Sequence, residues 1–300
     1  MNPQRILVSG ASGPIGSALL PALKAQGSAV TCLVRHSTPG KDQILWDPAH
    51  PLSPDYVSGF DAVIHLAGES IVGRWTEAKK RRILESRTHG TGHLAEAAAR
   101  ASQPPRVFIS ASAVGFYGNR GDETLSEDSP SGEGFTAEAC RQWEAATRHA
   151  ATAGIRTAQM RFGVVMSADG GALPKMLTPF LLGLGGRLGS GRQWSSWVSV
   201  RDVVGAIQHV LAHESLSGPV NTVSPNPVTN AEFTRILASV IHRPAIFPMP
   251  AFAVRLVFGE MGEELFLGSQ RVEPAKLQAS GYRFQHPDLR TALKELLHRS

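Results

Sequence analysis

A chain of 300 residues with 42% hydrophobic and 18% charged side chains describes a soluble globular protein with ample material for a core. Its formal net charge of +5 is modest for that length and argues against a dedicated polyanion binder, while two cysteines exclude a disulfide framework. No apolar run approaches the roughly 20 residues that span a bilayer, and Met1-Asn2-Pro3-Gln4-Arg5 leads into the first strand without a signal-peptide core, so the expected location is the cytoplasm.

Arg5 to Ser9 reads as a short buried strand, and the run from Ser17 reads as a helix that ends near Gly27. Between them lies Gly10-Ala11-Ser12-Gly13-Pro14-Ile15-Gly16. A glycine turn between a strand and a helix lets backbone N–H groups and the positive helix end approach a phosphate, where side chains would obstruct. The spacing Gly-x-x-Gly-x-x-Gly is one residue off the usual dinucleotide fingerprint, but its setting is the right one. Gly10, Ser12, Gly13, Pro14, Ile15 and Gly16 are therefore expected to seat a pyrophosphate.

Ala29 to Val34 is predicted as the second strand, ending at Arg35. A fold that prefers the unphosphorylated cofactor places a carboxylate there for the ribose hydroxyl, whereas arginine suits a 2′-phosphate. No carboxylate stands between Leu33 and Gly40, and Arg35, His36, Ser37 and Lys41 can all donate, so NADP(H) is expected over NAD(H). A short segment, 44–48, precedes a clear strand over Phe60 to Gly68. Ligands of such sheets lie beyond the strand ends, which puts Ala67, Gly68 and Glu69 beside the cofactor. His65, inside the apolar run, is read as a core histidine.

A long helix is predicted from Thr76 to Arg100, and its basic run Lys79-Lys80-Arg81-Arg82 is read as a solvated face, with no nucleic-acid partner. Arg106 to Ser110 is the next buried strand and opens into Ala111-Ser112-Ala113-Val114-Gly115-Phe116-Tyr117-Gly118. Together with the glycine turn and His65-Leu66-Ala67-Gly68, this segment resembles the extended short-chain dehydrogenase/reductases. Segments 161–166, 171–177, 226–233 and 243–250 narrow the resemblance to the atypical epimerase-family 39U subgroup.

The resemblance implies an α/β fold: a Rossmann-type doubly wound parallel sheet that binds NADP(H), with a small C-terminal α/β lobe over the substrate cleft. It assigns 1–165 and 199–224 to the nucleotide-binding domain and 166–198 and 225–300 to the lobe. It also implies a serine after the fifth strand and a Tyr-x-x-x-Lys pair on the following helix, the tyrosine moving a proton and the lysine lowering its pKa and holding the ribose. Ser112 fits the serine, with Ser110 second. The pair is absent, because four residues beyond Tyr56, Tyr117 and Tyr282 stand Phe60, Gly121 and His286. Aligning that helix through Glu144 places Thr136 and Cys140 where the pair would stand, and Arg87 falls where an asparagine is usual. Tyr117 is then the candidate proton donor by position, and Arg161, Phe162 and Gly163 are expected to border the nicotinamide. Cys140 reads as a packed helical thiol rather than a nucleophile.

The acidic loop 121–134 is expected as a mobile edge of the cleft. A helix from Thr136 to Ala153, carrying a core Trp143, leads to a sixth strand over Thr157 to Val165. In the glycine-rich loop that follows, Arg187 and Arg192 read equally as a clamp for an anionic substrate or as exposed loop residues. Trp194 is placed with them as a substrate contact, and Asp202 as the cap of a helix starting at Val203. Residues 225–300 read as short helices and proline turns, with an apolar surface at Phe252, Leu256, Val257, Met261, Leu265 and Phe266. No metal-ligand spacing occurs, and monomer and homodimer stay equally open. The expected function is NADP(H)-dependent oxidoreduction or epimerisation of a small carbonyl or hydroxyl substrate, and the alternative is a non-catalytic NADP(H)-binding redox sensor or docking protein.

Overall fold

The computed structural model describes residues 4–35 and 40–298. Seven parallel strands build the central sheet: β1 (Arg5–Ser9), β2 (Ala29–Val34), β3 (Gln43–Leu45), β4 (Ala62–His65), β5 (Val107–Ala113), β6 (Arg156–Phe162) and β7 (Gly218–Thr222). Their spatial order is β7-β6-β5-β4-β1-β2-β3, so the order reverses between β1 and β4. That reversal opens a crevice beyond the strand ends, where doubly wound sheets take their ligands.

The strand sequences are apolar on both sides because helices cover both faces. Ile6, Val8, Ile64 and Ile109 join one core with Leu19 and Leu23 of α1 (Pro14–Ala25), and with Val203 and Ile207 of a helix described below. Leu7, Val63 and Phe108, the residues between them, join the opposite core with Leu94 and Ala98 of α2 (Glu77–Arg100). Alternate residues of each strand thus serve opposite layers, as the period of two requires. On the α2 side, α3 (Phe135–Ala146) packs alongside α2. A separate core joins Leu173 and Phe180 of α4 (Ala172–Leu181) to Trp197 and, through Phe233, Leu237, Leu289 and Leu293, to chain segments after residue 225.

Several elements differ from their sequence-based expectation. The first helix begins at Pro14, not Ser17, because proline at the first helical position follows an extended Gly13 and continues directly into the turn. The helix expected at Val203 begins at Val200, as α5 (Val200–Ala212), and Ser199 caps it by accepting from the Asp202 amide. Asp202 is buried instead, accepting from Ser199 Oγ and from the amides of Gln285 and His286. The expected helix 136–153 breaks into α3 and a short helix, Arg148–Thr152. The sixth strand stops at Phe162, and 164–166 pairs separately with 197–199. β7 had no expected counterpart, being only five residues that open with Gly-Pro.

Gly16 sits where α1 meets the preceding loop, and a Cβ there would stand 2.4 Å from Gly10 O and 2.7 Å from Ala11 Cα. Backbone cannot yield as a flexible side chain would. Gly16→Ala is expected to lower stability by about 1–3 kcal/mol, read as a lower urea midpoint, and an unchanged midpoint would contradict this packing.

Candidate functional site: the cleft at the sheet reversal

β1 ends at Ser9, and the chain turns at Gly10 with φ +75°. A Cβ at that glycine would lie 2.6 Å from Leu66 C and 2.7 Å from Ala67 N, so the exits of β1 and β4 touch backbone to backbone. Gly13 N donates to Gly10 O at 3.1 Å, which closes the loop. Among the described residues no side chain caps α1, and Pro14 has no N–H. The amides of Ile15 and Gly16, in the first turn, therefore have no partner among the described residues, with the helix dipole behind them. Gly170 and Gly171 pass over Pro14, placing the start of α4 beside the same loop.

Beyond β4, Glu69 accepts from Lys79 Nζ at 2.6 Å. That hydrogen bond outweighs burial and holds the Glu69 carboxyl below its usual range, with the charges of Lys79, Arg82 and Arg35 acting in the same direction. Arg35 follows the end of β2 and is exposed, while His36 lies outside the described residues. The basic run on α2 is partly neutralised, since Lys79 pairs with Glu69 and Lys80 with Glu77 and Glu260.

Ser112 and Tyr117 occupy a buried polar network rather than an open surface. Ser112 Oγ donates to Glu144 Oε1 at 2.7 Å, and Arg161, beside it in the sheet register, forms a two-pronged pair with the same carboxylate at 2.7 and 2.8 Å. Arg161 Nη1 also donates to the Tyr117 hydroxyl at 2.9 Å, and that hydroxyl lies 2.7 Å from Asn221 Oδ1 and 2.9 Å from Ser126 O. Tyr117 has 0% exposure and Ser112 2%. The Tyr117 hydroxyl, expected from sequence to donate the proton, is engaged by three protein partners, and burial pushes its pKa up. The Ser112 hydroxyl is likewise committed to Glu144. Ser110 is fully buried, and its Oγ donates to the Ala111 carbonyl. Phe162 is buried, whereas Gly163 lies where a Cβ would meet Ser196 O at 2.5 Å.

The positions matching the missing Tyr-x-x-x-Lys pair are filled differently. Thr136 Oγ1 donates to Glu264 Oε2 at 2.7 Å, and the same carboxylate accepts from the amides of Phe135 and Thr136, closing the start of α3 from the C-terminal segment. Cys140 is buried, its thiol pushed up to about 11 first by burial, with Sγ against Ala113 O. It is unreactive as a nucleophile. Arg87 lies beneath Gly68, donating to the carbonyls of Glu69 and Ile83 and stacking on Trp143.

His65 is a core residue, with Nδ1 2.5 Å from Ser9 Oγ and Nε2 without a partner among the described residues. Burial drives its pKa down to about 4 and keeps it neutral.

The substrate residues expected from sequence are dispersed. Arg187 lines a cavity of about 460 Å³ with Arg235, Thr234 and Ile246. Arg192 is exposed and does not line it. Trp194 donates to Asp122 and is covered by Arg271, at the acidic loop. That loop is tied rather than free: Glu127 is buried and accepts from the amides of Asn221 and Lys276. In the C-terminal apolar surface Met261 is buried against Trp75 and Ile83, with Leu265 and Phe266 beside it, whereas Phe252, Leu256 and Val257 are exposed. Sequence reasoning missed Glu144, Asn221, Glu127 and Glu264. An arginine between Met160 and Phe162 in a strand was the available signal for a buried carboxylate partner.

Among the described residues no group of three or more His, Cys, Asp or Glu could hold a metal, and no helix is long and apolar enough to cross a membrane. Residues 6–223 match the NAD dependent epimerase/dehydratase family, and residues 249–296 match a domain of unknown function, DUF1731. The epimerase family protein MT2273 of Mycobacterium tuberculosis is 42% identical over 290 residues, covering 96% of each chain. The crystal structure of human epimerase family protein SDR39U1 (isoform2) with NADPH superposes with a TM-score of 0.90 at 37% identity, over 98% of this chain and 99% of that one. A nucleoside-diphosphate sugar epimerase from Corynebacterium glutamicum gives 0.84 at 39% identity, over 99% of this chain and 59% of that one.

Two outcomes test the chemistry of the site's walls. Glu144→Gln leaves Arg161 as a buried charge without its counter-ion, and is expected to cost about 3–5 kcal/mol in urea unfolding; a loss below about 1 kcal/mol would contradict the pair's role. His65 has a folded pKa near 4 against an ordinary value of 6.5. Between those values the unfolded chain takes up the extra proton, so this contribution is whole above about pH 6.5 and declines as pH falls, by at most about 1.4 kcal/mol per unit. His65→Gln should remove that part of the slope, and identical slopes in the two proteins would refute it.

Proposed function

Since this chain belongs to the NAD dependent epimerase/dehydratase family, we propose that it binds NADP(H) across the β1–β4 crevice and transfers hydride to or from a small carbonyl or hydroxyl substrate. The observation that carries the reading is the bare start of α1, where a closed glycine loop leaves first-turn amides with no side-chain cap among the described residues. Such a cradle suits a diphosphate, and a side chain on Gly10 would push the β4 exit away from it. Ser12, Pro14 and Ile15 line the loop, and Ala67, Gly68 and Glu69 form the neighbouring strand exit. Arg35, exposed at the end of β2 with no carboxylate in its place, is the group for a 2′-phosphate. The human relative crystallised with NADPH, which agrees with this charge pattern.

When bound, the nicotinamide supplies or accepts the hydride. The chain's own contribution is to hold and orient it, since proximity supplies much of the rate in hydride transfer. The Glu144–Arg161–Tyr117 network fixes β5, β6 and the segment after β5, and so shapes the wall of the cleft without moving a proton itself. Residues 1–165 with 199–224 would form the cofactor-binding part, and 166–198 with 225–300 the lobe that closes on the substrate, with Arg187 as one anion contact.

A second reading has a specific observation behind it. With Ser112 and Tyr117 both spent on buried partners and Tyr-x-x-x-Lys absent, a protein that binds NADP(H) without turnover and signals its redox state fits the same geometry.

Titration with NADPH and NADH, with Arg35→Asp alongside, tests the cofactor half. NADPH is expected to bind at least about ten-fold tighter, and Arg35→Asp to abolish or reverse the preference. Equal affinities in the wild-type protein would overturn the assignment of Arg35. Turnover of NADPH across a panel of small carbonyl compounds separates enzyme from sensor.

A further inference from the structure

We propose that residues 259–268 form a lid over the nicotinamide half of the crevice, latched by Glu264 on the start of α3, and that this lid opens for NADP(H) to enter and leave. The proposal rests on the NADP(H) reading above and adds a moving part to it.

The place follows from the sheet order. Arg35 marks the adenosine side at the end of β2 and the α1 amides mark the diphosphate at β1, so the nicotinamide half falls toward the exits of β4 and β5. The start of α3 stands there: a Cβ on Gly115, two residues beyond β5, would lie 3.1 Å from Thr136 Cβ. Gly134 gives that helix no side-chain cap. Glu264, 128 residues beyond Thr136, supplies one, its Oε1 accepting from Phe135 N at 2.7 Å and its Oε2 from Thr136 N and Oγ1 at 2.8 and 2.7 Å.

The chain around Glu264 is built to move as a unit. In α6 (Ala251–Gly262), Phe252, Leu256 and Val257 are exposed up to Gly259, whose φ of +59° breaks the helix and turns the chain inward, so that Met261 is buried. A Cβ at Gly259 would meet nothing within 4 Å, so conformation rather than packing calls for glycine there. After residue 268, Ser269 N and Gln270 N donate to Asn119 Oδ1 and Trp194 O and pin the chain again. Between these points no backbone–backbone hydrogen bond ties 259–268 to the rest of the described chain. Side chains hold it instead: Met261, packed with Trp75 and Ile83 and accepting from Gly73 N, the Lys80–Glu260 pair at 3.0 Å, Gln193 Nε2 on Phe266 O, and Glu264. Trp75 and Phe135, beside the starts of α2 and α3, meet edge to face at 5.0 Å, so the segment lies across both helix starts. Both latching carboxylates are partly exposed, Glu260 at 43%, and half-solvated contacts of this kind open on the microsecond-to-millisecond scale of lid motion.

Stopped-flow binding separates a lid from a fixed helix cap, because a gate limits the rate and a cap does not. With rising NADPH the observed rate in the wild type should level off at the opening rate, and Glu264→Ala should raise that ceiling by about ten-fold or more. Glu264→Gln, which keeps an acceptor, should fall between the two. A wild-type rate that climbs linearly throughout, or the same ceiling in Glu264→Ala, would overturn the proposal. Hydrogen exchange on the wild-type protein needs no variant: the amides of 259–268, Phe135 and Thr136 should exchange together, and at least about ten-fold faster than those of β4 and β5. Exchange of this segment as slow as that of the strands overturns the lid alone. Wild-type protein that gives no saturable NADPH signal overturns the NADP(H) reading and the lid's role with it.

Discussion

The close approach of two backbones at Gly10 governs this structure. Because β1 and β4 are sheet neighbours across the order reversal, their exits can meet only if the first residue after β1 has no side chain and a left-handed turn. That contact aims α1 at the crevice and leaves its first amides without a cap. The proposed cofactor residues depend on it: Arg35 at the end of the next strand and Ala67 to Glu69 on the facing exit.

A second constraint shapes the wall where chemistry would occur. Arg161 enters the sheet between Met160 and Phe162, so a charge is carried into the interior and must be met there. Glu144 meets it, and Ser112, Tyr117, Asn221 and Glu127 become linked to that pair directly or through one another. The hydroxyls that look catalytic in sequence are thus both engaged by protein partners in the fold. What stands at the start of α3 instead is Thr136 held by Glu264, a bond between the sheet-covering helix and the C-terminal segment.

Much of the fold was legible from period and punctuation. β1 and β2 match their sequence boundaries, and Thr76 caps α2 where a capping residue was expected. Helix starts were harder, since Pro14 and Ser199 act through backbone geometry that hydrophobic period does not report. β7 escaped because five residues opening with Gly-Pro carry too little pattern, and its place depends on pairing with β6. The glycine loop was readable because its chemistry is backbone chemistry. Ser112 and Tyr117 were placed correctly along the chain, but which way a hydroxyl turns is decided by partners 32 and 104 residues away.

The central claim is that the bare amides of the first helix bind a diphosphate. Gly13 offers the most direct test, since its backbone is extended with φ −76° and a Cβ there would meet only Gly10 O, at 3.4 Å. Gly13→Asp should therefore fold while placing a negative charge inside the cradle. Calorimetry with NADPH on the two proteins, with thermal midpoints recorded, is predicted to give saturable binding for the wild type and a loss of about 100-fold or more in the variant at a near-native midpoint. Equal affinity in both proteins would contradict the account.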